Sequence, residues 1–344
     1  DVHVSSKSLN TAMNGDKVKI RTWTPSGRRK PEGEVVEILE RARDNFIGTL
    51  WMSPKHAVVT IDMVPPIDVE VNMEDMPQAN DEDRVVVRID EWPDRHKHNP
   101  KGTITTVLGK AGSSDIEMKT ILVNNGFDLE FPEDVKREAD YLPARISEEE
   151  IKRRRDLREV TTITVDPEDA KDFDDALSIR HLENGEIEVG VHIADVTHYV
   201  REGTPLDKEA LERSTSVYLV DRVLPMLPEE LSQDTCALTE GADRPALVCR
   251  MTIGEAGDIS EFEFFEATIR SRAKLSYYAV DRYLNGQFDE LMSHATPLEP
   301  LYQVYRALRA HREQHCLVME DRQEYRWILG DDKQIENIEP YDKL

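Results

Sequence analysis

Cysteine is scarce in this 344-residue sequence, limited to Cys236, Cys249 and Cys316. An odd number with no CxxC spacing argues against a disulfide framework and a structural zinc site, and fits reduced thiols in a cytoplasmic protein. Long apolar runs are also missing, so no membrane-spanning helix and no membrane partner are expected. The first residues, DVHVSSKSLN, lack the basic and apolar regions of a secretory leader. They open on what reads as a strand, from which we expect further sequence upstream. Positive charge is in short supply: 44 Lys and Arg face 69 Asp and Glu, for a net charge of −25. The chain as a whole therefore repels polyanions, and any nucleic-acid binding has to be confined to local basic grooves. Two stretches qualify, KVKIRTWTPSGRRK (17–30) and IKRRRDLR (151–158), and each also reads as ordinary solvated surface. Internal repeats and low-complexity tracts are absent. At ~100–200 residues per domain, the length allows about two or three domains.

What is present begins with strands. Over residues 1–110, DKVKIRTW, GEVVEIL, FIGTLW, AVVTI, IDVEV, DRVVVRIDEW and GTITTVLG alternate in period two, punctuated by Asn14-Gly15, Pro31 and Pro65-Pro66. Many short strands at close spacing predict a small antiparallel barrel of the OB type. Phe46, Trp51 and Trp92 offer faces for stacking bases, or serve as barrel core or rim. From 113 to 158 the pattern turns helical, with a capping box of Ser147 and Glu150 opening ISEEEIKRRRDLR. Beyond 159, EVTTITVD reads as a strand and ALSIRHL as another. A hairpin turn at Asn184-Gly185 leads into EIEVGVHIADV, with Ile187, Val189, Val191 and Ile193 on one face. Helices are expected at TPLDKEALERS, capped by Thr204, at YYAVDRYLNG, and across 298–314 with Leu301, Val304, Tyr305 and Leu308 as an apolar stripe. YRWILG and QIENIEP return to strand.

Between two of these strands lies DPEDAKDFDDAL (166–177), which crowds Asp166, Glu168, Asp169, Asp172, Asp174 and Asp175 around Lys171. Such carboxylates raise one another's pKa unless a cation sits among them. The chain must fold back between Asp166 and Asp174, which brings Asp166, Asp172, Asp174 and Asp175 together. A calcium EF-hand needs Gly at loop position six and Glu at twelve; here those positions hold Lys171 and Leu177, and that reading fails. A solvated acidic loop remains open, although Ala170 and Phe173 among the acids suggest a tightly packed turn. So does a magnesium site for phosphate chemistry, where two ions would clamp an in-line phosphodiester displacement.

Several motifs narrow the choice. TITVDPEDAKDFDDALS, VGVHIADVTHYV, RSTSVYLVDRVLPMLPEELS and IRSRAKLSY together resemble the catalytic domain of the ribonuclease R family, within the ribonuclease II (RNB exoribonuclease) superfamily. Upstream, LNTAMNGDKVKIR, GTITTVLG and FPEDVKREA are similar to that family's cold-shock barrels and the connector after them. The resemblance implies a multidomain chain with an OB/cold-shock β-barrel N-terminal region and an α+β RNB-type catalytic domain. Its divisions are 1–31 (tail of a first cold-shock barrel), 32–112 (second barrel), 113–158 (helical connector) and 159–344 (the N-terminal portion of the catalytic domain). It implies processive 3′→5′ hydrolysis of single-stranded RNA bearing a free 3′ end, by a monomer, with release of nucleoside 5′-monophosphates.

Carried over by motif position, Asp166, Asp172 and Asp175 are expected to ligate Mg²⁺, with Mn²⁺ as a possible substitute. Asp174 is expected to be essential to catalysis, by holding a second metal or orienting water. Tyr218 falls where the family has an aromatic against the bases near the 3′ end, and Tyr277 matches a catalytic tyrosine near the scissile nucleotide. Met319 stands where the family usually has a phenylalanine that stacks on terminal bases. The family's catalytic domain also continues past the equivalent of IEPYDKL, supplying a catalytic arginine and a C-terminal barrel, so a fragment of a longer enzyme is expected. The other reading is a catalytically incompetent RNA-binding fragment or pseudo-nuclease, against which the retention of all four aspartates argues. A bare acidic interaction protein does not account for the ordered strand pattern.

Overall fold

Period-two alternation produces the elements of the first unit, residues 1–130. The computed structural model describes residues 2–25, 30–63, 66–93, 99–287, 297–315, 323–330 and 334–341. Strands β1 (His3–Val4), β2 (Lys17–Trp23) and β3 (Glu32–Glu40) form a small sheet in the order β1-β3-β2. The sequence division at 31/32 groups β3 with the following barrel, but its hydrogen bonds run to β1 and β2. The register of β2 on β3 also explains the first basic stretch. Lys17 pairs with Glu40 at 2.6 Å, Lys19 with Glu37 at 3.3 Å and Arg21 with Glu34 at 2.6 Å. In place of a candidate groove, Lys17, Lys19 and Arg21 form a ladder of exposed cross-strand ion pairs, in keeping with the reading of this stretch as solvated surface.

A closed barrel follows in the order β4-β5-β6-β8-β7, from β4 (Asn45–Met52), β5 (Ala57–Ile61), β6 (Ile67–Val71), β7 (Asp83–Glu91) and β8 (Lys101–Lys110). Inward residues Phe46, Leu50, Val59, Val69, Val85, Val87 and Ile104 fill it. A Cβ at Gly48 would lie 2.4 Å from the Thr60 carbonyl oxygen, so only glycine permits that approach of strands. Ile47 and Val86, of opposite parity, are covered by Ile116 of helix α1 (Ser114–Asn124), whose N-cap Ser113 accepts from the Ile116 amide.

The second unit, residues 131–344, is α+β. Helices α2 (Glu133–Tyr141) and α3 (Glu148–Arg153) precede the short β9 (Arg155–Asp156). The main sheet comprises β10 (Thr162–Asp166), β11 (Asp175–His181), β12 (Ile187–Ala194), β15 (Asp243–Ile253) and β16 (Ile259–Ser276), with β9 at its edge. The long β16 changes partners along its length. Residues from Ile259 to Arg270 pair with β15, and residues from Ser271 to Ser276 pair with β10. The hydrogen-bonded order thus closes on itself through β10-β11-β12-β15-β16.

Helix α4 (Pro205–Arg213) begins at Thr204, whose hydroxyl accepts from the Asp207 amide. It is followed by the small hairpin of β13 (Val217–Tyr218) and β14 (Val223–Leu224). Leu206 of α4 packs with Val135 and Ala139 of α2, Tyr199, Leu227 and Leu231. Helix α5 (Tyr277–Leu284) follows β16, and α6 (Leu298–His315) lays Val304, Leu301 and Leu308 on Val189, Met251 and Ile253. Tyr305, read as part of that stripe, is instead substantially exposed and accepts from Arg309 at 2.9 Å. A hairpin of β17 (Glu324–Leu329) and β18 (Ile335–Tyr341) closes the described chain. Among the described residues no helix is long and apolar enough to cross a membrane.

Candidate active site

The acidic loop joins Asp166, the last residue of β10, to Asp175, the first of β11. Its ends are set by the sheet: Asp166 is in register with Ser276 of β16, and Asp175 with Ile193 of β12. Phe173 anchors the loop by burying its ring among Ala176, Ala194, Leu238 and Ile269. Its carbonyl accepts from the Leu238 amide and that of Asp174 from the Ala194 amide, both at 2.8 Å. An acidic loop therefore folds against an apolar core because one aromatic residue interrupts the carboxylates.

Asp166 is 8% exposed, and its Oδ2 is buried with no hydrogen-bond partner among the described residues. Burial pushes its carboxyl up to about 6, helped by the charges of Asp175, Asp174 and Asp172 and opposed by Lys274. Asp175 is raised as well, first by burial and then by Asp174. The phenol of Tyr218 donates to Asp172 Oδ2 at 3.2 Å while the residue stays 67% exposed. Burial and the neighbouring Asp172 charge push that phenol up.

A cleft of about 690 Å³ opens here. Asp166, Asp169, Asp172 and Asp174 line it with Lys171, and Tyr218 and Arg222 enter from the β13–β14 hairpin. An adjoining hollow of about 240 Å³ shares Asp172, Asp174 and Tyr218 and is otherwise lined mainly by apolar groups such as Phe173, Ala194 and Leu227. Asp175 and Tyr277 are not in either lining. Tyr277 directly follows Ser276, the register partner of Asp166, and is 42% exposed at the start of α5.

Among the described residues no three acidic, histidine or cysteine side chains are arranged to hold a metal ion. The donor chemistry still suits a hard cation. The oxygens are carboxylates, one of them buried and unpartnered, and those of Asp166 and Asp175 are held in an environment that favours neutralisation. Magnesium commonly binds through one or two carboxylates and completes its shell with water and phosphate oxygens.

The other expected residues fare differently. Phe46 is corrected: it is 2% exposed in the barrel core, edge-on to Trp92 at 6.2 Å, and has no free face for a base. It shares strand parity with inward Leu50, whereas Trp51, one residue further, points out and is 47% exposed. Met319 lies outside the described residues.

The second basic stretch is consumed by ion pairs. Arg153 meets Glu150 and Glu266, Arg155 meets Glu263, Arg158 meets Asp156 and Asp243, and Arg154 pairs with Asp195 at 2.6 Å with both side chains almost fully buried. For Asp195, burial alone would raise the pKa, but hydrogen bonds from Thr197 and Arg154 bring it below the usual value.

Strand β12 departs from the expected burial pattern too. Gly190, His192 and Ala194 are buried, while Ile193 is substantially exposed. His192 Nε2 meets Ser178 Oγ at 2.8 Å, and a Cβ at Gly190 would lie 2.5 Å from that hydroxyl. Sequence reasoning missed His192, Asp195 and Lys274; the one signal for the first two was polar residues embedded in the apolar strand VGVHIADV.

Comparison with known proteins agrees with this layout. An RNB domain model matches residues 154–344, a cold shock domain model 58–132 and a ribonuclease B OB domain model 1–38. Ribonuclease R of Thermotoga maritima is 34% identical over 351 residues, covering 99% of this chain and 48% of that protein. Ribonuclease R of Escherichia coli is 32% identical over 346 residues, covering 98% and 42%. The chain spans about half the length of the curated relatives it matches. Mycoplasma genitalium RNase R in complex with ribose methylated single-stranded RNA superposes with a TM-score of 0.85 at 26% identity, over 99% of this chain and 54% of that one. Yeast Ssd1, a pseudonuclease, shares the fold at a TM-score of 0.65 and 21% identity, over 91% and 45%. With OB-type and cold-shock segments ahead of an RNB segment that fills more than half the chain, this protein belongs to the RNB-domain family, the family of ribonuclease R.

Proposed function

We propose that this chain carries the metal-binding residues of a processive 3′→5′ exoribonuclease that hydrolyses single-stranded RNA to nucleoside 5′-monophosphates. The observation that carries the reading is the buried, unpartnered Asp166 Oδ2 within a run of aspartates that line an open cleft. Asp166, Asp172 and Asp175 are assigned as Mg²⁺ ligands, with Mn²⁺ able to substitute. Bound there, the ion stabilises charge on the phosphate and lowers the pKa of water. Asp174, whose carbonyl is fixed by the Ala194 amide, is assigned to orient the attacking water. Tyr218 holds Asp172 through its hydroxyl and presents its exposed ring to the cleft, where stacking on a base contributes about 1–3 kcal/mol. Tyr277 is assigned beside the scissile nucleotide and Trp51 to stacking on the barrel surface, while Met319 keeps its base-packing role from the sequence alone. A monomer acting in the cytoplasm on RNA with a free 3′ end completes the reading.

Asp174→Asn is the test. Incubated with Mg²⁺ and an RNA bearing a single-stranded 3′ tail, the variant loses mononucleotide release while retaining RNA binding by filter retention. Unchanged turnover would sink the site assignment. The second reading, an RNA-holding pseudo-nuclease, draws on the lack of a ready three-ligand set among the described residues. It requires RNA binding without hydrolysis in both Mg²⁺ and Mn²⁺, and no Mn²⁺ uptake that depends on Asp166.

A further inference from the structure

We propose that Lys274 is a positioning residue, a clamp that keeps the acidic loop in the shape a cation needs; this deepens the nuclease reading and rests on it. Its Nζ donates to the carbonyl oxygen of Ala170 at 3.0 Å and to that of Glu168 at 3.5 Å, and lies 4.7 Å from the centre of the Phe173 ring. One ammonium thus grips the loop at three points.

The choice of partners is informative. The side-chain hydrogen bonds of Lys274 go to main-chain carbonyls rather than carboxylates, so its charge offsets the crowding without occupying the oxygens assigned to metal. The two ends of the loop are held by other means: Asp166 by the β10–β16 pairing, Phe173 and Asp174 by Leu238 and Ala194. Among the described residues, 168–170 have no such strand partner. Their one local bond is the turn from the Ala170 amide to the Pro167 carbonyl, and among the described residues the hydrogen bonds reaching them from outside the loop come from Lys274. Without it, repulsion among Asp166, Glu168, Asp169 and Asp172 acts on a segment held only by the Ala170 turn, the packing of Ala170 on the Phe173 cluster and the charge of Lys171.

The clamp is itself well founded. Lys274 is in register with Thr164, two residues before Asp166, and its amide donates to Glu240 at 3.4 Å. The same strand pairing therefore places both a proposed ligand and the group that restrains the loop. Building both on rigid sheet favours a preorganised site.

Lys274→Met and Lys274→Arg in the full chain separate the possibilities. Hydrogen–deuterium exchange without metal reads the loop directly: Lys274→Met speeds exchange at the Ala170 amide, the one held by the turn to Pro167, by about 10-fold, the loss of hydrogen bonds from a charged donor, while β10 and β16 keep their protection. Mn²⁺ titration followed by electron paramagnetic resonance reads the site. The clamp predicts weaker uptake in Lys274→Met and substantial recovery in Lys274→Arg, which keeps the donors and the charge. A mere counter-charge predicts the opposite sign, tighter Mn²⁺ binding once the lysine is gone. Unchanged loop exchange, or tighter binding by Lys274→Met, overturns the proposal. Should the wild-type chain take up no Mn²⁺, the metal reading falls, and the exchange comparison alone decides the clamp.

Discussion

The barrel of β4 to β8 and the sheet of the second unit both close a set of strands, yet they fill the space differently. The barrel core is an apolar cluster: Phe46, Leu50, Val59, Val69, Val85, Val87 and Ile104. The second unit buries Arg154, Asp166, His192, Asp195 and Arg244 alongside its apolar residues. Buried polar and charged groups are costly unless paired, so the second unit depends on partners and protonation states more than the barrel, where Asp83 is buried and bonded by Asn80. Chemistry is concentrated where that dependence is concentrated. The barrel contributes a stable surface, while the RNB segment holds titratable groups in defined positions.

The sharpest way to break this contrast is to remove one member of the buried ion pair. Arg154→Met leaves Asp195 buried and uncompensated, and should cost about 4 kcal/mol in urea unfolding of the second unit. The double variant Arg154→Met/Asp195→Leu should recover most of that loss. A single variant as stable as wild type would show that the pair is not the organising contact.

Next in size is a pH effect. Burial lowers the His192 pKa to about 4 from an ordinary 6.5, so the folded chain keeps the imidazole neutral while the unfolded chain takes up a proton. The stabilisation is complete above pH 6.5 and is lost as pH falls from 6.5 to 4. It amounts to about 3 kcal/mol. His192→Gln should remove that slope; equal pH profiles for variant and wild type would refute the assignment.

The barrel supplies the counterpart. Ile104→Val should cost about 1 kcal/mol, and the same amount at pH 7 and pH 4.5, because the lost methylene does not titrate. Smallest of all, Lys19→Gln should shift stability by no more than ~0.5 kcal/mol, since its pair with Glu37 is exposed and screened. Hydrogen exchange resolved by segment assigns each change to its unit.

Much of this architecture was legible in the residues. The barrel strands follow from period-two alternation, because a strand with one face inside must place its apolar residues at every second position. Ser147 and Thr204 cap helices where their spacing predicted, each accepting from the amide three residues on. Glu150 does not complete a box; it turns to Arg153 and Arg154, since charged partners in space outcompete a local amide. The acidic loop stood out by density of charge alone. Phe46 misled because a lone aromatic looks the same whether it points in or out, and only the parity shared with Leu50 in a closed barrel decides it. The basic stretches stayed open between groove and solvated surface for a related reason: charge is countable in a sequence, but neutralisation depends on which strand lies opposite.

By itself, then, the sequence determined many of the local elements, though not the long strands β15 and β16, together with the gathering of aspartates and the family membership, all of which depend on neighbours along the chain or on motif order. The tertiary structure alone decided the rest. It set β3 against β2 rather than in the barrel, turned β16 from β15 to β10, buried His192 and Asp195, and brought Lys274 across more than a hundred positions to the loop that Lys171 alone could not balance. The physical reason is common to all four. Strand register and burial are cooperative properties of the packed sheet, and a residue about a hundred positions away acquires its meaning only when that sheet places it within hydrogen-bond reach.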